Sequence, residues 1–159
     1  MLFGPSLSKY PELRKFIRGS LLKRAKTNAK TWRAFKKFGE LSESRAQTAL
    51  TVPTGICGYF KTWFYDYTPR LEVEQLKGQT YGVFRGSKND SKIIIDKDLA
   101  AAFEKNPNSA DWQKVVEATL LHEAVHWGDW KDGKDRKGEE GMSFEKAAYG
   151  KTIWAPQKL

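Results

Sequence analysis

The two histidines of this 159-residue chain stand four residues apart, in the run His122-Glu123-Ala124-Val125-His126. Residues four apart in a helix lie on one face, so both imidazoles can bind one metal ion. Glu123 is displaced around the helix and is predicted to contact a zinc-bound water rather than the metal. It can accept a proton from this water and then pass a proton to a leaving amine. The spacing therefore predicts a zinc peptidase site with His122 and His126 as ligands and Glu123 as the base.

A catalytic zinc site needs a third protein ligand and one position open for water. No further histidine exists, and Cys57, the single cysteine, is remote in sequence, so a carboxylate is expected. Glu145 is ranked first because it lies on a predicted helix that can fold back against the motif helix. The other candidates are Asp129, Glu140 and Asp132. An acid that does not bind the metal can still orient a ligand histidine by accepting the hydrogen of its other ring nitrogen, and Asp129 suits that role.

Further short segments accompany the motif in the last third of the chain. They are Trp127-Gly128-Asp129, Asp132-Gly133, Gly138-Glu139-Glu140-Gly141, Phe144-Glu145 and Tyr149-Gly150. Together with the motif they resemble the zincin-like metallopeptidase toxin domains of bacterial polymorphic toxins. Such domains occur at the ends of secreted effectors or beside components of secretion systems such as type VI.

This resemblance implies a zincin-like α+β fold, a zinc ion on His122 and His126, Glu123 as the base and Glu145 as the third ligand. It also implies a toxin that cleaves a protein or peptide substrate, with an antibacterial or host-directed role. The implied partners are a cognate immunity protein and a secretion-system carrier. Delivery into the periplasm or cytoplasm of a target cell would follow from that role.

A long helix is predicted to present the motif. Asn108 or Ser109 offers an N-cap, and Asp111 is well placed near the positive end of the helix dipole. Apolar residues follow at helical spacing as far as the motif, and the helix is expected to stop near Gly128.

A short final helix is predicted over residues 144–149, with Ser143 as its cap and Gly150 after its end. Tyr149 on this helix is a candidate oxyanion donor, although a packed aromatic side chain is the favoured interpretation.

A β-hairpin is predicted before these helices. Residues 80–84 and 92–95 are β-prone and are joined by the turn-rich stretch 86–91. An edge strand can pair with an extended peptide substrate, and the strand over 92–95 or its hairpin partner is the candidate. An internal core strand is an equally good interpretation of residues 93–95. A short helix over 99–104 should follow and end before Pro107.

The first forty residues are predicted to be helical, with Pro11 in a first turn and Gly39 at a stop. The net charge is +9, and the excess of Lys and Arg is concentrated in this part. That surface is either a solvated helix face or a binding surface for an anionic partner. A basic nucleic-acid-binding protein with a structural or accessory metal site is therefore the second functional hypothesis.

The length predicts one domain over 1–159, with a basic helical part at 1–50 and a catalytic core at 51–159. Aromatic residues make up 13% of the chain and crowd together within 51–68, where irregular or extended structure is expected. One cysteine excludes an intrachain disulfide. No apolar run reaches membrane-spanning length, and the first residues lack a signal-peptide pattern, so another component is expected to deliver the protein.

Overall fold

The computed structural model describes residues 1–53, 68–87, 90–133 and 139–156. Over these ranges the fold is α+β, with a small mixed sheet and several helices, as the sequence predicts. Along the chain the elements are β1 (Leu2–Phe3), a 3-10 helix (Pro5–Lys9), α1 (Pro11–Phe16), a π-helical turn (Ile17–Leu21), α2 (Leu22–Thr27), α3 (Ala29–Phe38), α4 (Glu43–Leu50), β2 (Arg70–Glu74), β3 (Gly82–Ser87), β4 (Asp90–Asp96), α5 (Lys97–Lys105), α6 (Ala110–Asp132) and α7 (Glu140–Tyr149). Cys57, most of the aromatic segment within 51–68, and Gly138 lie outside the described residues.

The N-terminal helices confirm the prediction for the first forty residues. Pro11 occupies the first turn of α1, and the π-helical turn joins α1 to α2 without a break. Asn28 separates α2 from α3, because its side-chain oxygen accepts the backbone N–H groups of Lys30 and Thr31 as an N-cap. Helix α4 lies within the part predicted to be helical as far as residue 50, and Ser42 caps it by accepting the N–H of Arg45.

The sheet has the strand order β1-β2-β4-β3. β4 lies parallel to β2 and antiparallel to β3, so the predicted hairpin is confirmed. The interpretation of 92–95 as an edge strand is wrong, because β4 is paired on both sides and Ile93, Ile94 and Ile95 are fully buried. The hairpin partner β3 is an edge strand of the described sheet, and β1 is the edge strand at the other end.

Helix α6 begins as predicted, with Ser109 accepting the N–H of Trp112 and Asp111 in the first turn. It does not stop near Gly128 but continues to Asp132, and Gly133 follows in the left-handed conformation with φ 73°. Gly128 has a packing role instead: a Cβ at this position would lie 2.2 Å from the carbonyl oxygen of Gly39. Glycine is thus required where α6 crosses the end of α3.

Helix α7 starts one turn earlier than predicted. Its N-cap is Glu139, whose side chain accepts the N–H of Met142. Ser143 is not the cap, because its hydroxyl donates to the backbone oxygen of Glu139 from within the helix. Gly150 ends α7 as expected, with φ 80°.

The buried side chains form one cluster that draws on the N-terminal helices, the sheet, α5, α6 and α7. α7 packs against both α3 and α6, and β3 packs along α6. These contacts fix α7 and β3 on either side of the motif. No helix in the described ranges combines the length and the apolar character needed to cross a bilayer.

Candidate metal centre

The motif histidines lie one turn apart on α6, with ring centroids 5.1 Å from each other. Both are partly exposed to a cleft of about 750 Å³ between α6, β3 and the start of α7. The cleft is lined by Gly82, Val83, Phe84, His122, Glu123, His126, Asp129, Trp130, Gly133, Glu139 and Glu140. The helical spacing thus brings both imidazoles to one cavity, as expected from the sequence.

Both imidazoles turn Nε2 toward the same carboxylate oxygen. Oε1 of Glu139 lies 2.7 Å from Nε2 of His126 and 3.4 Å from Nε2 of His122. One ligand atom from each of these three residues lies within 4.8 Å of the others, so they could hold a metal ion. Two imidazole nitrogens and one carboxylate oxygen are donors that suit zinc and related divalent ions. The donor set therefore fits the metal that the motif predicts.

Glu139 is not among the ligands predicted from the sequence. Its position follows from its capping role, since Glu139 is fixed at the start of α7 through the N–H of Met142 at 2.6 Å. The available signal was the acidic pair Glu139-Glu140 directly before the last helix. With Ser143 as the predicted cap, Glu139 falls in the loop before the helix rather than at its first turn.

Glu145 is brought to His122, but on the other side of the ring. Its Oε1 lies 2.6 Å from Nδ1 of His122, and its Oε2 accepts the backbone N–H of Ile153 at 2.6 Å. A hydrogen bond from Nδ1–H to this carboxylate leaves the Nε2 lone pair directed at the cleft. Burial lowers the pKa of His122, but the hydrogen bond with Glu145 and the negative charges of Glu123, Glu139 and Glu145 together outweigh it, so the net shift is upward.

Glu123 is buried at the wall of the cleft, next to β3. A Cβ at position 82 would lie 3.0 Å from Oε1 of Glu123, which shows how closely the strand passes. Burial raises the pKa of Glu123 to about 7, although the charge of His122 and a backbone hydrogen bond from Phe84 oppose the shift. A carboxyl group with this pKa can both accept and release a proton near neutral pH.

The remaining predicted site residues have different positions. Asp129 is buried and lines the cleft one turn after His126. Glu140 is buried, and its Oε2 lies 3.7 Å from Nδ1 of His126. The side chain of Asp132 lies outside the described residues. Tyr149 is not brought into the cleft, because its hydroxyl donates to Oε1 of Glu117 at 3.2 Å.

The first turn of α7 lies directly against the first histidine. A Cβ at position 141 would be 2.2 Å from Nε2 of His122 and 2.6 Å from Cε1. Gly141 therefore allows α7 to approach closely enough for Glu139 to reach both rings.

The basic surface is separate from this cleft. Lys23, Lys30 and Arg33 are exposed on the N-terminal helices, whereas no Lys or Arg occurs among the described residues that line the cleft. Over the described residues, no Lys or Arg side chain is thus part of the candidate metal centre.

Comparison with protein families gives a match to metallopeptidase toxin 3 over residues 6–150. The chain belongs to this family. Membership confirms the resemblance to metallopeptidase toxin domains and indicates a metal-dependent peptidase toxin. This metallopeptidase toxin family implies a protein substrate and suggests delivery to target cells, and it does not favour the nucleic-acid hypothesis. No significant similarity was found to a curated protein or to a solved structure.

Proposed function

We propose that this family member is a zinc-dependent endopeptidase with a zincin-like fold that acts as a secreted bacterial toxin. One observation carries the proposal: Nε2 of His122 and Nε2 of His126 converge on Oε1 of Glu139 in a cleft that also contains Glu123. Two imidazoles and one carboxylate, with space left for a water, form the donor set of a catalytic rather than a structural zinc site.

In this proposal Glu139 is the third ligand, and Glu145 orients His122. The support is the geometry of the two acids, because Glu139 lies at Nε2 of both rings and Glu145 lies at Nδ1 of one. Glu140 likewise faces Nδ1 of His126, as Glu145 faces Nδ1 of His122, but at a longer distance. A bound zinc would supply Lewis acidity, making a water molecule more acidic and polarising a peptide carbonyl.

Glu123 is proposed to accept the proton of the attacking water and to deliver a proton to the leaving amine. Its burial, its position beside β3 and its pKa near 7 suit both steps. We assign no oxyanion role to Tyr149, because its hydroxyl hydrogen-bonds Glu117 away from the cleft lining.

The edge of β3 is the proposed binding site for the substrate backbone. β3 borders the cleft through Gly82, Val83 and Phe84, and its outer side pairs with none of the described strands. An extended peptide can add to such an edge through main-chain hydrogen bonds. A peptide bound there would pass directly beside Glu123.

The proposed toxin role also implies a domain organisation, partner proteins and a site of action. We propose that residues 1–159 act as one domain, because α1 to α4 share a core with α6 and α7. A secretion-system carrier, for example of type VI, would deliver it to the periplasm or cytoplasm of a target bacterium. A cognate immunity protein would protect the producing cell. The family membership supports the toxin role and the delivery to target cells from which these proposals start.

The decisive experiment combines metal analysis with a toxicity assay of Glu123→Gln. The variant should bind one zinc per chain, as the wild type does, but lose peptide cleavage and toxicity in both compartments. Glu12→Gln is the matched control, since Glu12 is a surface acid paired with Lys15. Toxicity or cleavage that survives in Glu123→Gln would show that the catalytic assignment is wrong.

The third ligand is tested by Ala variants of the two competing acids. Glu139→Ala should lose stoichiometric zinc, whereas Glu145→Ala should keep it with an affinity about 10- to 100-fold lower. The reverse result, tight zinc in Glu139→Ala and none in Glu145→Ala, would restore Glu145 as the ligand.

A further inference from the structure

An aromatic pair stands at one end of the cleft. Phe84 on β3 and Trp130 on α6 have ring centroids 5.8 Å apart and an interplanar angle of 58°. They are the aromatic members of the cleft lining, apart from the two histidines, over the part of the chain that the structure describes. Trp130 is 37% exposed, so its indole presents accessible apolar surface to the cavity.

The indole of Trp130 can occupy its position because β3 has a glycine beneath it. A Cβ at position 86 would lie 2.8 Å from Cε2 of Trp130 and 2.9 Å from its Nε1. Gly86 therefore lets the indole lie directly on the backbone of β3. Lys131 places its ammonium 5.0 Å from the indole centroid, but Lys131 is exposed and its flexible side chain can move into solvent. One face of the indole is thus held against Gly86, and the other face becomes accessible when the Lys131 side chain moves away.

The pair lies along the path of the proposed substrate. β3 runs from Gly82, beside Glu123, to Gly86, beside Trp130. Four residues of extended chain cover about 13 Å, and Phe84 lies midway. A peptide extended along the edge of β3 with its scissile bond near Glu123 would therefore bring a side chain two to four residues away onto the pair.

We propose that Phe84 and Trp130 form a subsite for a large apolar side chain of the substrate, aromatic or of the Leu and Met type. The preferred residue lies two to four positions from the scissile bond, on one side of it only. This inference rests on the proposed peptidase function and adds the substrate class. The carboxylates of Glu123, Asp129 and Glu139 line other parts of the cleft and do not suit an apolar side chain, so the aromatic surface of the pair is where such a side chain would bind.

Cleavage of a mixed peptide library by the zinc-loaded protein tests the subsite. Cleavage sites read by mass spectrometry should show large apolar residues enriched at one position within four residues of the cut. For a pair of peptides with Phe or Gly at that position, kcat/KM should favour Phe by about 10- to 100-fold. Trp130→Ala and Phe84→Ala should reduce this ratio to within about threefold of unity.

Trp154→Ala is the matched control, because Trp154 is 60% exposed and is not part of the cleft lining. It should keep the ratio between the Phe and Gly peptides. Zinc stoichiometry equal to that of the wild type would show that the cleft variants are folded. Cleavage without an apolar preference, or a preference that survives in both cleft variants, would overturn the proposal.

A binding measurement keeps the subsite testable apart from catalysis. The zinc-loaded protein is labelled with 5-fluorotryptophan, and the Trp130 resonance is assigned by its loss in Trp130→Phe. A capped alanine pentapeptide with a central Phe should shift this fluorine resonance, whereas capped pentaalanine should not. A shift without any library cleavage would support the subsite and contradict the peptidase function. No shift at millimolar peptide would refute the subsite.

Discussion

Replacing Gly141 with alanine is expected to abolish tight metal binding without unfolding the protein. The new Cβ would lie 2.2 Å from Nε2 of His122. Non-bonded carbon and nitrogen atoms keep about 3.5 Å apart, so the imidazole must move by about 1 Å or rotate away. Metal sites tolerate deviations of only about 0.2 Å in their ligand distances. Zinc affinity should therefore fall by at least ~100-fold, more than the loss of an outer hydrogen bond would cause.

The fold should survive, because alanine is about 1 kcal/mol better than glycine inside a helix and His122 can turn toward the cleft. Zinc affinity is measured by competition with a fluorescent chelator, and helix content by circular dichroism. Gly19→Ala is the matched control, since this helical glycine has nothing within 4 Å of the new Cβ. If Gly141→Ala binds zinc as tightly as the wild type, α7 does not pack closely on His122. The placement of Glu139 beside both histidines would then be wrong as well.

Three further predictions follow from the same contacts. Ile153→Pro removes the N–H that fixes Glu145 and should lower zinc affinity about tenfold in the chelator assay; an unchanged affinity would show that Glu145 does not need this contact. Arg24→Ala leaves the buried carboxylate of Glu117 without its partner at 2.6 Å and should reduce the free energy of unfolding in urea by about 1–3 kcal/mol. No measurable loss would mean that water replaces the arginine. Zinc at about a thousand times its Kd should raise Tm by about 10 °C, and a rise of the same size in His126→Ala would contradict the ligand assignment.

The start of α6 and the hairpin could be predicted because their signals are local. Ser109 caps α6 because its side-chain oxygen accepts the backbone N–H of Trp112, three residues further on, and Asp111 lies near the positive end of the dipole of the same helix. The continuous apolar run from Ile93 to Ile95 indicates a strand that is buried on both faces, as it is in the structure. Each of these features depends on residues within a few positions of one another.

The edge strand could not be chosen from the sequence. Whether residues 92–95 lie at an edge depends on β2, which pairs with them in parallel from about twenty residues away. Neither segment shows in its sequence which strand it pairs with, because each shows only β propensity. β3 became the edge because β2 occupies the other side of β4.

Gly128 shows the same limit within the motif helix. A glycine after a periodic apolar run commonly ends a helix. The sequence does not show that the backbone of Gly39 packs against Gly128. Only the crossing of α6 and α3 explains why glycine is needed there while the helix continues.

By itself the sequence predicted the core of the candidate site, because His122 and His126 stand four residues apart on one face of a helix and Glu123 directly follows the first of them. The tertiary structure decided which outer acids face which nitrogen. The docking of α7 on α6 brings Glu139 to Nε2 of both histidines and Glu145 to Nδ1 of His122. The physical reason is that the ring nitrogens of His122 point in different directions. The role of each acid therefore depends on the direction from which its helix approaches, and spacing along the chain does not contain that information.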